Sequence, residues 1–213
     1  MLLSGPPGTG KTYAALTLGL RPDHKVYRVQ ITDETPAAEA RGFYVPRGGK
    51  FVWQDGPGLL AMRAGGRLIL DEIGRASGDF MSFALALLDD PASCRITLPS
   101  GETVSPAPGY SVVCTSNDPP EALPEALRDR LVVRVEIPEP NPAAFAHLPA
   151  DIRAVAENLA RSGQDDRRIS LRAWLEFARL RSVIAPDIAA MAVFGPESGP
   201  ELLAAIKIGK IGD

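Results

Sequence analysis

Gly5-Pro6-Pro7-Gly8-Thr9-Gly10-Lys11-Thr12 decides how the rest of the chain is read. The octet matches the pattern GxxxxGK[ST], and it lies between an apolar run, Met1-Ser4, and a stretch, Lys11-Leu20, whose apolar residues recur with helical period. These residue types are what a loop needs to wrap a phosphate with its own backbone. Glycines let main-chain N–H groups turn inward, and the amino terminus of the following helix adds positive dipole. Lys11 supplies a point charge for the β- and γ-phosphates, and Thr12 offers a hydroxyl to Mg²⁺. The loop predicts a strand on its amino side and a helix on its carboxyl side.

Four further apolar runs, Val26-Thr32, Arg67-Leu70, Ser111-Thr115 and Leu131-Ile137, are β-branched or leucine-rich. The intervals between them are long enough for helical crossovers, including Gly58-Arg63 and Phe80-Leu88, so the spacing predicts a mostly parallel five-stranded sheet covered by helices. Arg67-Leu70 runs directly into Asp71-Glu72, which places two carboxylates at the carboxyl end of a buried strand, where ligands of α/β sheets bind. Asp71 is then positioned to hold Mg²⁺ through water and Glu72 to orient and polarise an attacking water. Alone the pair would read as a helix-start acid pair; with the phosphate loop it reads as nucleotide hydrolysis. At the end of the next strand, Cys114-Thr115-Ser116 leads to Asn117, whose amide could bond a γ-phosphate and the lytic water. Before Asp118-Pro119-Pro120 an Asn is also a common turn former.

Two insertions read as hairpins. Phe43-Tyr44-Val45 and Lys50-Phe51-Val52-Trp53 flank the turn signal Pro46-Arg47-Gly48-Gly49, and Arg95-Ile96-Thr97-Leu98 precedes Pro99-Ser100-Gly101-Glu102 and Thr103-Val104. The three prolines of Pro138-Glu139-Pro140-Asn141-Pro142 stop the last strand and mark a linker. The expected organisation is an α/β domain over 1–140 and a small all-helical domain over 141–213. The latter has helices at Asp151-Arg161, Ser170-Arg181, Pro186-Phe194 and Pro200-Lys207, with Gln164-Asp165-Asp166-Arg167-Arg168 as a solvated loop.

Composition narrows the class. The chain has 213 residues, 45% hydrophobic and 23% charged, and its 20 Gly and 20 Pro are scattered, which excludes collagen-like and low-complexity readings. A net charge of -3 gives no global basic field for nucleic acid or an anionic membrane. No apolar stretch reaches membrane-spanning length and the amino terminus carries no secretory pattern, so a cytoplasmic protein is expected. Cys94 and Cys114 are too few for a disulfide scaffold and are read as reduced, structural thiols.

Gly5-Thr12, Leu68-Glu72, Asn117, Leu123-Arg130 (LPEALRDR) and Arg172 in Ile169-Arg172 together resemble an AAA+ ATPase. More narrowly, Gly42-Ile73 (GFYVPRGGKFVWQDGPGLLAMRAGGRLILDEI) resembles the MoxR branch, especially its CbbQ/NorQ-type members, in which a hairpin inserted in helix 2 precedes the Walker B strand. Arg95-Val104 resembles the hairpin before sensor 1. The resemblance implies ATP and Mg²⁺ as cofactors and a self-assembled, hexameric ring with each nucleotide between subunits. It also implies a protein client or a von Willebrand factor A-domain partner. Arg130 matches the arginine finger that reaches a neighbour's γ-phosphate, with Arg128 as the alternative or a second contact, and Arg172 matches sensor 2. An arginine is planar and always charged, which suits a transferring phosphoryl group.

The chain departs from the family in starting only three residues before Ser4-Gly5, where relatives carry a segment that helps enclose the base. The protein is then either minimal or a fragment with a late start, and phosphate chemistry can be argued where adenine selectivity cannot. A GTP-driven nucleic-acid motor of the McrB type and a nucleotide-switched adaptor are the competing readings; a small-molecule P-loop kinase fits Asn117 and Arg172 less well. Phe51, Trp53 and Arg47 could face a ring pore or a client, although local packing is the favoured reading of hairpin aromatics. His24 and His147 lack metal-ligand spacing. Asp33-Glu34 reads as a solvated helix start.

Overall fold

Leu2, Leu68, Leu70 and Cys114 are buried on one face of a parallel sheet while Leu3, Ile69 and Val113 are buried on the other. Strands covered on both faces read as continuous apolar runs for this reason. The computed structural model describes residues 1–161 and 169–209; Gln164-Arg168, expected as a loop, lies outside the described residues. The chain folds as two compact units, Met1–Gly5 with Lys11–Ile137, and Pro6–Gly10 with Pro138–Asp213.

In chain order the first unit contains β1 (Leu2–Ser4), α1 (Lys11–Thr17), β2 (Val26–Gln30), α2 (Ala37–Arg41), β3 (Gly42–Arg47), β4 (Lys50–Asp55), α3 (Pro57–Ala64), β5 (Arg67–Asp71), α4 (Gly78–Leu87), β6 (Ile96–Thr97), β7 (Thr103–Val104), β8 (Ser111–Ser116), α5 (Glu125–Arg130) and β9 (Arg134–Glu136). The five-stranded sheet has the order β2-β5-β8-β1-β9, and every pairing in it is parallel. This is the expected α/β class with its helical carboxyl-terminal part. The register sets Gln30 opposite Asp71 and Ser4 opposite Ser116, so the carboxyl ends of β1, β2, β5 and β8 converge on one edge.

Both hairpins form, β3 with β4 and β6 with β7. Gly48 and Gly49 have φ of 58° and 77°, the paired positive values that a two-residue turn needs to match strand twist. Trp53 packs edge-on against Tyr44 at 5.3 Å and donates Nε1–H to Asp55 at 2.7 Å, whereas Phe51 is 76% exposed. Arg47 donates to Gln54 at 3.1 Å.

Several boundaries differ from expectation. The helix predicted over Lys11-Leu20 ends at Thr17, whose hydroxyl donates back to the Tyr13 carbonyl at 2.7 Å, and Gly19 then turns the chain with φ of 67°. The last strand is only Arg134–Glu136, because Leu131 caps α5 and leaves strand geometry. Asp33-Glu34 do not start a helix. Pro36 disfavours helical backbone at Thr35, so α2 begins at Ala37, whose N–H donates to Asp79. The short helix α5 is not foreshadowed by any apolar periodicity.

The second unit contains α6 (Ala150–Arg161), α7 (Leu171–Leu180) and α8 (Pro186–Gly209), the last interrupted at Gly195. Its core centres on Trp174 and Phe177, both against Phe194 at 5.0 and 5.1 Å. Burying such rings stabilises a small helical unit by about 2–3 kcal/mol each. Ser170 caps α7 by accepting the Ala173 N–H, and Arg181 forms a bidentate pair with Asp151 at 2.7 and 2.8 Å. Among the described residues no helix is long and apolar enough to cross a membrane.

Candidate active site

The sheet edge gathers Lys11, Thr12, Asp71, Glu72 and Asn117 within the first unit. Lys11, at the start of α1, donates from Nζ to the Gly5 carbonyl at 2.7 Å and to Asn117 Oδ1 at 2.8 Å. Asn117 in turn donates from Nδ2 to Glu72 Oε1 at 2.7 Å. The amide therefore stands between a cation and an anion, oxygen toward the ammonium and nitrogen toward the carboxylate, as their charges demand. Lys11 is only 5% exposed, and burial lowers its pKa while Glu72 and Asp71 oppose the shift.

Glu72 follows β5 with φ of 64° and ψ of 47°, the one non-glycine among the described residues with positive φ. A left-handed L-residue costs about 1 kcal/mol and persists where its surroundings hold it. Here the Glu72 N–H donates to Thr115 Oγ1 at 3.1 Å and the side chain reaches Asn117. The kink separates two consecutive carboxylates, so that Asp71 is buried beside Thr12 and Glu72 half-buried beside Asn117.

Asp71 is 2% exposed. Thr12 Oγ1 donates to it at 3.0 Å from Oδ1 and 3.2 Å from Oδ2, Thr115 Oγ1 donates to Oδ1, and Arg28 Nε donates to Oδ2 at 3.1 Å. A hydroxyl and a buried carboxylate side by side are the hard oxygen donors that suit Mg²⁺, which takes one or two carboxylates and completes its shell with water and substrate phosphate. Among the described residues no group of three or more His, Cys, Asp or Glu is placed to hold a metal ion, so a cation here would rely on Thr12, Asp71, water and substrate phosphate. His24 and His147 fall in different units.

Within the second unit lie Pro6, Pro7, Gly8, Thr9, Gly10 and Arg172. Thr9 Oγ1 donates to the Pro6 carbonyl at 3.1 Å, closing the loop on itself. Gly8 has φ of 78°, and a Cβ there would fall 2.5 Å from Ser170 Cβ, so no larger residue fits. Arg172 is exposed in the first turn of α7. Arg130 donates to Asp89 at 2.7 Å and to the Ala126 carbonyl at 3.1 Å; Arg128 has its Nε buried without a partner among the described residues. Neither arginine's bonds run to Lys11, Asp71, Glu72 or Asn117.

Sequence reasoning missed Arg28 and Thr115. Arg28 is readable only as the polar half of the alternation Tyr27-Arg28-Val29-Gln30 on an edge strand. Thr115 lies in β8, two residues before Asn117, which follows the strand. Cys94 and Cys114 are free and buried, and burial pushes their thiols up to about 11 and about 12.

A parallel sheet with this strand order, a phosphate loop after β1 and an Asp-Glu pair after β5 define a P-loop ATPase domain. The chain belongs to the AAA domain (dynein-related subfamily) family, whose model matches residues 1–131. It is 34% identical over 156 residues to protein NorQ of Paracoccus denitrificans, covering 70% of this chain and 56% of that protein. It is 29% identical over 191 residues to the denitrification regulatory protein NirQ of Pseudomonas aeruginosa, covering 86% and 73% respectively. The chain thus spans little more than half the length of NorQ. These relatives bear out the MoxR-branch resemblance carried by Gly42-Ile73. The crystal structure of NtrX from Brucella abortus superposes with a TM-score of 0.57 at 22% identity, covering 87% of this chain and 47% of that one, a likeness of fold.

Proposed function

We propose that this domain hydrolyses ATP with Mg²⁺, works as a ring in the cytoplasm, and uses turnover to remodel or activate a protein partner, such as a von Willebrand factor A-domain protein. The observation that carries the reading is the hydrogen-bonded line Lys11–Asn117–Glu72 beside the Thr12–Asp71 pair. Lys11 binds the β- and γ-phosphates, and Asn117 holds both Lys11 and the Glu72 carboxylate in place. Glu72 accepts a proton from the attacking water as it approaches the γ-phosphorus. Thr12 and Asp71 would hold Mg²⁺, which when bound stabilises charge on the transferring phosphoryl oxygens.

Arg130, with Arg128 as alternative, is assigned to a neighbour's γ-phosphate, and Arg172 to sensing the nucleotide in its own subunit. The 1–140 segment is the catalytic domain and 141–213 its lid. The test is Mg²⁺-dependent ATP hydrolysis against protein concentration, with light scattering on the same samples, GTP as competitor and Glu72→Gln as control. Activity that rises as rings form and vanishes in the control is expected. Turnover that survives both Glu72→Gln and Lys11→Ala would overturn the assignment. Tight ATP binding by a monomer without turnover would favour a switch.

A further inference from the structure

Arg28 is a cation that the proposed mechanism does not use, and it sits on the one carboxylate assigned to the metal. Its Nε lies 3.1 Å from Asp71 Oδ2 and one terminal nitrogen also donates to that oxygen. The second half of its environment differs. Arg28 is 43% exposed in its side chain against 3% for Asp71, and the same terminal nitrogen donates to Gln30 Oε1 at 2.6 Å. Arg28 and Gln30 are two residues apart on edge strand β2, so they share a face, and Gln30 stands opposite Asp71 in the β2–β5 register.

Asp71 is buried, and a buried carboxylate needs a counter-charge. Oδ1 takes two hydroxyl donors, from Thr12 and Thr115, which carry no charge. Arg28 therefore supplies the cation in direct contact with Asp71, while the Lys11 ammonium acts on it without a hydrogen bond. Among the described residues the Arg28 side-chain bonds run to Asp71 and Gln30 alone, so it has solvent on one side and a neutral acceptor already in hand. Two cations drawing on one carboxylate repel, so the guanidinium and a divalent ion compete for Asp71.

We propose that Arg28 is a displaceable counter-ion that keeps Mg²⁺ off Asp71 until nucleotide arrives, making metal binding conditional on the phosphates. The inference rests on the reading of Asp71 as a metal-holding residue. Phosphate charge offsets the repulsion between the two cations, and Gln30 retains Arg28 when it leaves the carboxylate. Nucleotide and Mg²⁺ then bind with positive coupling, each strengthening the other by the same factor. Arg28 acts through Asp71 and is a positioning residue.

The test uses the full chain and Mn²⁺ as a spectroscopic stand-in for Mg²⁺, with free ion followed by electron paramagnetic resonance, first without nucleotide and then with a non-hydrolysable ATP analogue. Arg28→Met keeps the aliphatic stem and removes the charge. It is expected to tighten Mn²⁺ binding to the nucleotide-free protein by roughly fivefold, the size of a partly exposed ion pair. With the analogue present, the gain should shrink to within about twofold. Arg28→Lys retains a point charge and should return most of the wild-type behaviour. Gln30→Leu removes the second acceptor and should weaken Mn²⁺ binding instead.

Unchanged or weaker nucleotide-free Mn²⁺ binding in Arg28→Met would overturn the proposal. So would an equal gain with and without the analogue. If Arg28→Met does not fold, Arg28→Gln takes its place, with the same tightening expected and with unchanged or weaker nucleotide-free Mn²⁺ binding refuting the proposal. A wild-type protein that binds the analogue identically with Mn²⁺ and with chelator would instead remove the metal reading of Asp71, and this inference with it.

Discussion

Replacing Glu72 separates backbone strain from chemistry. With φ of 64° and ψ of 47°, an L-residue there costs about 1 kcal/mol that glycine does not incur. Glu72→Gly also loses the 2.7 Å bond from Asn117, which is exposed, so about 0.5 kcal/mol is forfeited. The net expectation is a gain of about 0.5 kcal/mol, or about 1–2 °C for a unit of this size. Glu72→Gln keeps both the strain and an acceptor for Asn117, so its stability should stay within about 0.5 kcal/mol of wild type. Glu72→Val puts a β-branched side chain at positive φ and should cost about 2 kcal/mol. All three should lower ATP turnover by about a hundredfold or more.

The assay is urea unfolding followed by tryptophan emission in a Trp174→Phe background, so that Trp53 reports the first unit alone. Glu72→Gly less stable than Glu72→Gln would refute the strain argument. Turnover within tenfold of wild type in Glu72→Gln would refute the catalytic one.

Three further outcomes are expected. Because burial lowers the Lys11 pKa, its ammonium is lost at a pH below the ordinary 10.5, so ATP-analogue affinity should fall with rising pH before that value is reached. In the same window the unfolded chain binds more protons than the folded one, so the stability of the nucleotide-free protein should rise slightly as affinity falls; denaturation and binding titrations at matched pH check both signs. Cys94 and Cys114 should resist iodoacetamide at pH 8 in the folded protein and react within minutes in urea, as mass spectrometry would show. Arg181→Met should destabilise the helical unit by about 1–2 kcal/mol by removing the bidentate pair to half-buried Asp151, measured by Trp174 emission, with first-unit unfolding unmoved.

Periodicity and local motifs were enough to set out the parallel sheet, both hairpins and the helical second unit, because each is written in short stretches of sequence. The unbroken apolar run Leu68-Leu70 marks a strand covered on both faces, and Gly48-Gly49 marks a tight turn between strand formers. The octet Gly5-Thr12 likewise declares its chemistry through residue types at fixed spacing. Residue order thus tells which groups exist and which strand end carries them. Their partners come from the fold. Asn117 lies 106 residues from Lys11 and 45 from Glu72, yet it bonds both, because β8 lies between β1 and β5 in the sheet. The left-handed turn at Glu72 and the seat of Arg28 on Asp71 arise from strand register, which no local pattern encodes, since hydrogen bonds between neighbouring strands form without regard to distance along the chain.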